Sequence, residues 1–336
     1  MKVLVTGGAG YIGSHTMVEL LNGGYEVVCI DDFSNSKPIT LDNIKKITNK
    51  DFSFYEGNVC DKSILKKIFE ENKIDMVIHF AGFKAVGESV KMPLKYYRNN
   101  LDSTFSLLEI MNEYNCKKLV FSSSATVYGK PDTLPIKEDS KLYTTNPYGT
   151  TKLMIENILK DLYHSDNNWS IAILRYFNPV GASKTGLIGE DPNGIPNNLM
   201  PYIVKVATKE YPQLNVFGND YDTKDGTGVR DYIHVVDLAK GHVKALEKIN
   251  KDTGIDCYNL GTGCGYSVLD LVETFKKVNK VDVPYKIVER RPGDIDVCYA
   301  DPSYAKEKLN WQAEMSIEDM CQDSYNFAMK QKKEIN

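Results

Sequence analysis

The sequence predicts an α/β chain, a doubly wound parallel sheet carrying a smaller α/β lobe, and three observations point there. Short β-branched runs alternate with longer amphipathic stretches through the first half. A glycine-rich turn follows the first run and opens a helical pattern. Near Asn178 the alternation gives way to a segment rich in Gly, Asn and Pro. At 336 residues the chain has room for one large unit with an added lobe, or for two coupled domains.

Strands are expected at Lys2 to Thr6, Glu26 to Asp31, Ser53 to Glu56, Met76 to Phe80, Lys118 to Ser122 and Ser170 to Leu174. Helical patterns lie between them at Ile12 to Leu21, Lys62 to Glu71 and Leu94 to Tyr114. Asn146-Pro147 reads as an N-cap followed by proline at the first helical position, starting a helix that runs to about Tyr163. Beyond Asn178, helices are expected near Asn197 to Lys209, Asp237 to Ile249 and Val268 to Val278. The sheet is therefore assigned residues 1–177 and the lobe residues 178–336. No flexible linker separates them, so part of the lobe is expected to fold back on the sheet.

Composition narrows the function classes. A 42% hydrophobic and 26% charged chain without repeats is an ordinary globular one, with disorder expected only in the C-terminal tail. No run approaches the roughly 20 apolar residues of a membrane span, and Met1 leads straight into a strand, so a cytoplasmic protein without a membrane partner is expected. Seven Cys form no CxxC pair and five His are scattered, which signals neither a disulfide framework nor a metal site. His234 and Asp237 lie three apart without further ligands. A net charge of -4 lacks the basic surplus of a nucleic-acid binder, leaving small molecules as partners.

The first turn carries the first chemical signal. Gly7, Gly10 and Gly13 stand after a strand and at the opening of a helix, where glycine lets the backbone approach a pyrophosphate and the helix dipole favours its charge. Asp31 closes the second strand, placed to accept from the adenosine ribose hydroxyls, and with Asp32 it repels a 2'-phosphate. NAD is thus expected over NADP on a Rossmann-type sheet. Without this context the glycines would mark only a strand-turn-helix.

Tyr148 and Lys152 carry the second. Four apart on a helix they are neighbours, so the ammonium favours the phenolate. Bringing a tyrosine from near 10 towards 7 takes about 4 kcal/mol, which Lys152 and the positive nicotinamide ring together are expected to supply. Such a phenolate is a general base for an alcohol hydroxyl. Ser124, in the serine run that ends the fifth strand, is the hydroxyl expected to polarise the reacting oxygen. A tyrosine and lysine at this spacing, or serines leaving a strand, are otherwise unremarkable surface features.

The spacing of the glycines resembles the short-chain dehydrogenase/reductase family, and longer stretches resemble its extended branch of UDP-galactose 4-epimerases. These include Gly-Ala-Gly10-Tyr11-Ile12-Gly13-Ser-His, His79-Phe80-Ala81-Gly with Lys84-Ala-Val-Gly, Ser124-Ala-Thr-Val-Tyr-Gly, Arg175-Tyr-Phe-Asn178-Pro, Gly226-Thr-Gly-Val-Arg230-Asp and Arg290-Arg291-Pro-Gly-Asp294. The resemblance implies reversible C4' inversion of UDP-glucose and UDP-galactose through a 4-keto sugar on tightly held NAD, in a homodimer formed through the helices at Leu94 to Tyr114 and Tyr148 to Tyr163. It implies that Asn35, Ser36, Asn58, Val59, Phe80, Ala81, Lys84, Asn99, Ser122 and Tyr176 join Tyr11, Ile12, Asp31 and the glycines in holding NAD. It implies that Asn178, Asn198, Leu199, Asn215, Phe217, Arg230, Arg291, Asp294 and Cys298, with Ser124 and Tyr148, line the UDP-hexose pocket. Taken singly, the two arginines read as surface charges and Phe217 as core.

Departures from the family pattern have consequences. Asn58 and Asp32 stand where the family usually carries Asp and Asn, which bears on NAD affinity. Cys298 replaces the bulky Tyr of members restricted to unacetylated sugars and leaves room for an acetamido group. Two rivals share the fold. A nucleotide-sugar 4,6-dehydratase carries an Asp-Glu pair after the strand-end hydroxyl, where this chain has Ala125 and Thr126; a noncatalytic dinucleotide sensor typically lacks the Tyr or Lys.

Overall fold

The structure, a computed structural model, describes residues 1–335 other than 195, 197 and 292. Seven strands form the central sheet: β1 (Lys2–Thr6), β2 (Glu26–Asp31), β3 (Ser53–Glu56), β4 (Met76–His79), β5 (Lys118–Ser124), β6 (Ser170–Tyr176) and β7 (Gly254–Leu260). Their order is β7-β6-β5-β4-β1-β2-β3, and every pairing is parallel. Order reverses between β1 and β4, so the loops leaving these strands part and open a crevice there.

Strand alternation sorts the core into two layers. Val3 and Val5 pack with Met17 and Leu20 of helix Tyr11–Asn22 and with Leu238 and Leu246 of helix Val235–Lys251. Leu4 faces the other way, into a cluster with Leu65, Leu107 and Ile155 from helices Lys62–Glu71, Pro93–Glu113 and Pro147–Ser165. With both faces covered, the strands are hydrophobic almost throughout, as a parallel sheet requires.

The lobe has a separate core around Met200, Ile203, Val216, Leu271, Phe275 and Met320. Its strands are short. Asn178–Val180 pairs with Tyr232–His234, Leu214–Phe217 with Tyr285–Val288, and Val229–Arg230 lies between Tyr266–Ser267 and Val297–Cys298. Helix Leu199–Ala207 is shorter than the sequence pattern suggests, and its expected start at Asn197 lies outside the described residues.

The second half crosses back to the sheet between residues 235 and 260. Helix Val235–Lys251 packs on the glycine-loop helix, and β7 pairs with β6 over seven residues. Sequence patterning misses β7 because an edge strand needs a partner on one side only. Gly254 to Cys257 are polar or partly exposed and only Tyr258 to Leu260 are buried. Strands β5 and β6 each run two residues past their expected ends, which brings Ser124 and Tyr176 to the rim of the crevice. No helix among the described residues is long and apolar enough to cross a membrane.

Candidate active site

The glycine turn is a cradle that side chains would fill. Gly7 has φ +70°, and a Cβ there would meet the Ala81 amide nitrogen at 2.9 Å. At Gly13 a Cβ would sit 2.3 Å from the Gly7 carbonyl oxygen. Gly10 is the N-cap of helix Tyr11–Asn22 and provides no capping side chain, so the first-turn amides of Tyr11 and Ile12 suit a diphosphate. The Tyr11 hydroxyl donates to the Gly181 carbonyl at 2.8 Å, tying this turn to the lobe.

At the far end of the cradle Asp31 is buried at the tip of β2. It accepts from the Ala9 amide (3.0 Å), the Phe33 amide (2.9 Å) and the Ser36 hydroxyl (2.7 Å). Burial raises its pKa and these hydrogen bonds oppose the rise. Asn35 is exposed on the same turn and Val59 is buried beyond it. The Asn58 amide donates to Asp32 at 2.9 Å while its oxygen accepts the Cys60 N–H at 2.8 Å. The two positions at which the sequence departs from the resemblance thus bond to each other, amide to carboxylate.

Between the ends, the Ala81 amide donates to Thr6 Oγ1 at 3.2 Å, joining the tips of β1 and β4. The Phe80 ring packs 4.7 Å from that of His242, which also accepts or donates to the Tyr176 hydroxyl at 3.0 Å. Lys84 lies 3.3 Å from Glu190 and 5.8 Å from the Tyr11 ring. Asn99 donates to Asn100 at 3.1 Å. The sequence reading passes over Asn100, yet its side chain bonds both the amide and the carbonyl of Phe83 and reaches Thr151 at 3.1 Å. It ties the loop after β4 to the tyrosine helix, and nothing in its immediate neighbours along the chain marks it.

Helix Pro147–Ser165 begins as its sequence implies, with the Asn146 side chain accepting the Gly149 N–H at 2.9 Å and proline at the first turn. This start aims Tyr148 and Lys152 at the end of β5. Lys152 is buried, donates to the Ser122 carbonyl at 2.7 Å and lies 5.9 Å from the Tyr148 ring centroid. Ser124 Oγ accepts from both the amide (3.2 Å) and the hydroxyl (3.0 Å) of Thr126, and it favours the Tyr148 phenolate. Burial lowers the Lys152 pKa to about 8, opposed by Glu156. For Tyr148 burial outweighs the Ser124 hydrogen bond and the pKa is raised. The expected lowering rests on Lys152 and the nicotinamide ring together; among the chain's own groups burial sets the direction.

Across the crevice the lobe presents the remaining residues. Arg291 binds Asp294 through Nε (3.0 Å) and Nη2 (3.4 Å), and its guanidinium lies 4.9 Å from the Phe217 ring centroid. Phe217 is 38% exposed rather than core. Arg230 donates to the Val229 carbonyl at 2.8 Å and is in register with Cys298 on the adjacent strand. Asn198 caps no amide of helix Leu199–Ala207 and instead donates to Glu190 at 2.7 Å. Asn178 is exposed at the start of its strand, and Asn215 and Leu199 are half-buried. His234 and Asp237 have structural roles, His234 Nδ1 accepting the Val236 N–H and Asp237 accepting the amides of Glu314 and Met315.

A glycine cradle at the switch point, an acid at the tip of β2 and a Ser-Tyr-Lys set beside β5 define a dinucleotide-dependent enzyme of the extended short-chain dehydrogenase/reductase type. A family model described as GDP-mannose 4,6 dehydratase matches residues 4–324. The UDP-glucose 4-epimerase of Bacillus subtilis (strain 168) is 63% identical over 327 residues, covering 97% of this chain and 96% of its own length. Among solved structures, the UDP-glucose 4-epimerase of Bifidobacterium longum in complex with NAD+ and UDP aligns with a TM-score of 0.96 at 55% identity, over 98% of both chains. The UDP-Glc/GlcNAc 4-epimerase of Campylobacter jejuni aligns with a TM-score of 0.85 at 36% identity, over 98% of this chain and 99% of its own. This chain belongs to the UDP-glucose 4-epimerase family.

Proposed function

We propose that this enzyme interconverts UDP-glucose and UDP-galactose by inverting C4' through a 4-keto sugar while keeping NAD bound throughout. The convergence of Ser124, Tyr148 and Lys152 at the end of β5, beside the glycine cradle, carries the reading. The cradle, Asp31 and the open first-turn amides fit NAD; Phe80, Ala81, Lys84, Asn99, Ser122 and Tyr176 complete its enclosure. Bound there, NAD would supply the acceptor for the C4' hydride and the donor that restores it.

Every other step is work for the chain. Tyr148 removes the 4'-hydroxyl proton and later returns it, which requires its phenolate. Lys152 supplies the fixed charge that favours this form, and Ser124 holds the oxygen by hydrogen bonding. Arg230 and Arg291 grip the diphosphate, as guanidinium forks do, while Asn178, Asn198, Leu199, Asn215, Phe217 and Asp294 receive the nucleoside and sugar. Anchored through its nucleoside diphosphate, the keto sugar is free to turn about that link and present its other face. In this reading residues 1–177 carry the cofactor and most of residues 178–336 the UDP-sugar. Exposed Val90, Met92, Leu94, Phe105 and Met154 on and beside the Pro93–Glu113 and Pro147–Ser165 helices suit a homodimer contact.

The test is to add UDP-galactose to purified protein without dinucleotide and follow C4' by proton NMR. Appearance of UDP-glucose supports the reading; a mixture that stays inert after NAD is added overturns it. The 4,6-dehydratase named by the family model needs an acid and a base next to the strand-end hydroxyl. Ala125 and Thr126 occupy those places, so no 6-deoxy-4-keto product is expected in the same spectra.

The acceptor range extends further. Cys298 is half-buried against a cluster containing Val127, Tyr128 and Phe177, and burial pushes its thiol up to about 11, keeping it neutral and compact. A side chain as small as cysteine in register with Arg230 suits an acetamido group, and the Campylobacter jejuni relative is named for both sugars. Cys298→Tyr is expected to cut turnover of UDP-N-acetylgalactosamine at least about tenfold while sparing UDP-galactose. Equal loss on both substrates refutes the role.

A further inference from the structure

Tyr148, Lys152 and Glu156 recur every four residues on helix Pro147–Ser165 and share one face. Only the first two enter the mechanism above. Glu156 is 0% exposed, a place where a carboxylate needs partners. Ser123 Oγ donates to Oε1 at 2.6 Å, Arg175 Nε to Oε1 at 2.9 Å, and Arg175 Nη2 to Oε2 at 2.6 Å. Arg175, equally buried on β6, spends Nη1 on the Tyr128 hydroxyl and the Glu138 carbonyl, each at 2.9 Å. Ser123 stands between Ser122, whose carbonyl holds the Lys152 ammonium, and Ser124. One carboxylate thus clamps the tyrosine helix to both strands that shape the reaction site.

A buried ion pair is often no more stabilising than the hydrophobic side chains that can replace it. What this one adds is location: a fixed negative charge one helical turn from Lys152, and a rigid link to the serine run. We propose that Glu156 is a positioning residue for the reaction, holding Tyr148 and Lys152 over Ser122 to Ser124 and serving as the buried counter-charge of Lys152. The proposal rests on the roles given to Tyr148 and Lys152 above.

The charge has a measurable consequence. Facing Lys152 and Tyr148 are Ser122 and Ser124 on β5, His79 on β4, Tyr176 on β6 and Tyr96 on helix Pro93–Glu113, with Arg175 of β6 on the far side of Glu156. His79 is held neutral, burial lowering its pKa to about 3, and Tyr96 donates to Glu88 at 2.7 Å. Glu156 is the buried anion of the set. Replacing it with glutamine leaves Arg175 uncompensated, which favours both the Tyr148 phenolate and neutral Lys152. Both limbs of the pH–kcat profile then move to lower pH.

The experiment measures holoenzyme turnover of UDP-galactose across pH. Glu156→Gln is expected to lower kcat about tenfold with KM within about twofold, and to displace both limbs downward by about half a unit or more. Ser123→Ala, which cuts the strand link without changing charge, is expected to lower kcat about threefold with the limbs in place. If Glu156→Gln does not fold, the Glu156→Gln/Arg175→Gln pair buries no orphan charge and carries the test, with a smaller displacement of the alkaline limb in the same direction. Folded Glu156 variants with limbs coincident with those of the wild type overturn the proposal. A wild type inert on UDP-galactose overturns the assigned activity instead.

Discussion

The two walls of the crevice are built on opposite terms. On the sheet side, Lys152, Arg175 and Glu156 are almost inaccessible, stand on regular elements and are held by hydrogen bonds of 2.6–2.9 Å. On the lobe side, the Arg291 side chain is 52% exposed and, among the described residues, is paired with Asp294, next to a partly exposed Phe217. Exposed ion pairs contribute at most about 1 kcal/mol, so in its proposed role Arg291 would exchange Asp294 for a diphosphate at little cost. On the proposed reading, the groups that support the proton-transferring Tyr148 are fixed, and those assigned to the UDP-sugar are adaptable. Substitutions on the sheet side should therefore act on kcat, and those on the lobe side on KM.

The sharpest contrast comes from Tyr148→Phe. Its kcat is expected to fall about 10³-fold with KM and bound NAD unchanged. Turnover within a few-fold of wild type would mean that the phenol transfers no proton. Next in size is the pH response. Lys152 is charged below its depressed pKa of about 8 and neutral above it, so its support for the phenolate is present below that pH and lost as pH rises through it. The alkaline limb of kcat is expected near 8, and in Lys152→Met that limb should vanish along with about 10²-fold of the rate.

Arg291→Ala should behave in the opposite way, raising KM and the UDP dissociation constant about tenfold while kcat changes less than about threefold. A kcat loss comparable to that of Lys152→Met would erase the distinction between the walls. The smallest effect concerns the Asn58 and Asp32 pair at the adenosine end. Asn58→Asp sets two exposed carboxylates face to face and should weaken NAD binding about threefold at low salt. Adding Asp32→Asn should restore it, and a titration of NAD into apoprotein of each variant reads this directly.

Much of the sheet side is legible in the sequence because its signals are local. Glycine spacing, an Asn-Pro helix start and a tyrosine four residues before a lysine each need only neighbours to be interpreted. The strands from β1 to β6 follow from the same local patterning. What escaped needs partners distant along the chain. Strand β7 is defined by β6, Asn100 by Phe83 and Thr151, Glu190 by Lys84 and Asn198, and Glu156 by Arg175 and Ser123. Proximity in sequence also misleads about electrostatics. Lys152 stands one turn from Tyr148 as expected, yet burial sets the direction of the phenol's pKa. For the same reason the Asn58 and Asp32 departures read as two losses along the chain and as one hydrogen bond in the fold.

In the proposed reaction one C4' hydrogen leaves and returns within a single turnover while Tyr148 handles only the hydroxyl proton. This is tested by converting UDP-galactose deuterated at C4' and locating the label in the product. UDP-glucose carrying the deuterium at C4', undiluted by solvent, is expected; loss of the label to water, with C4' inverted, would rule this mechanism out.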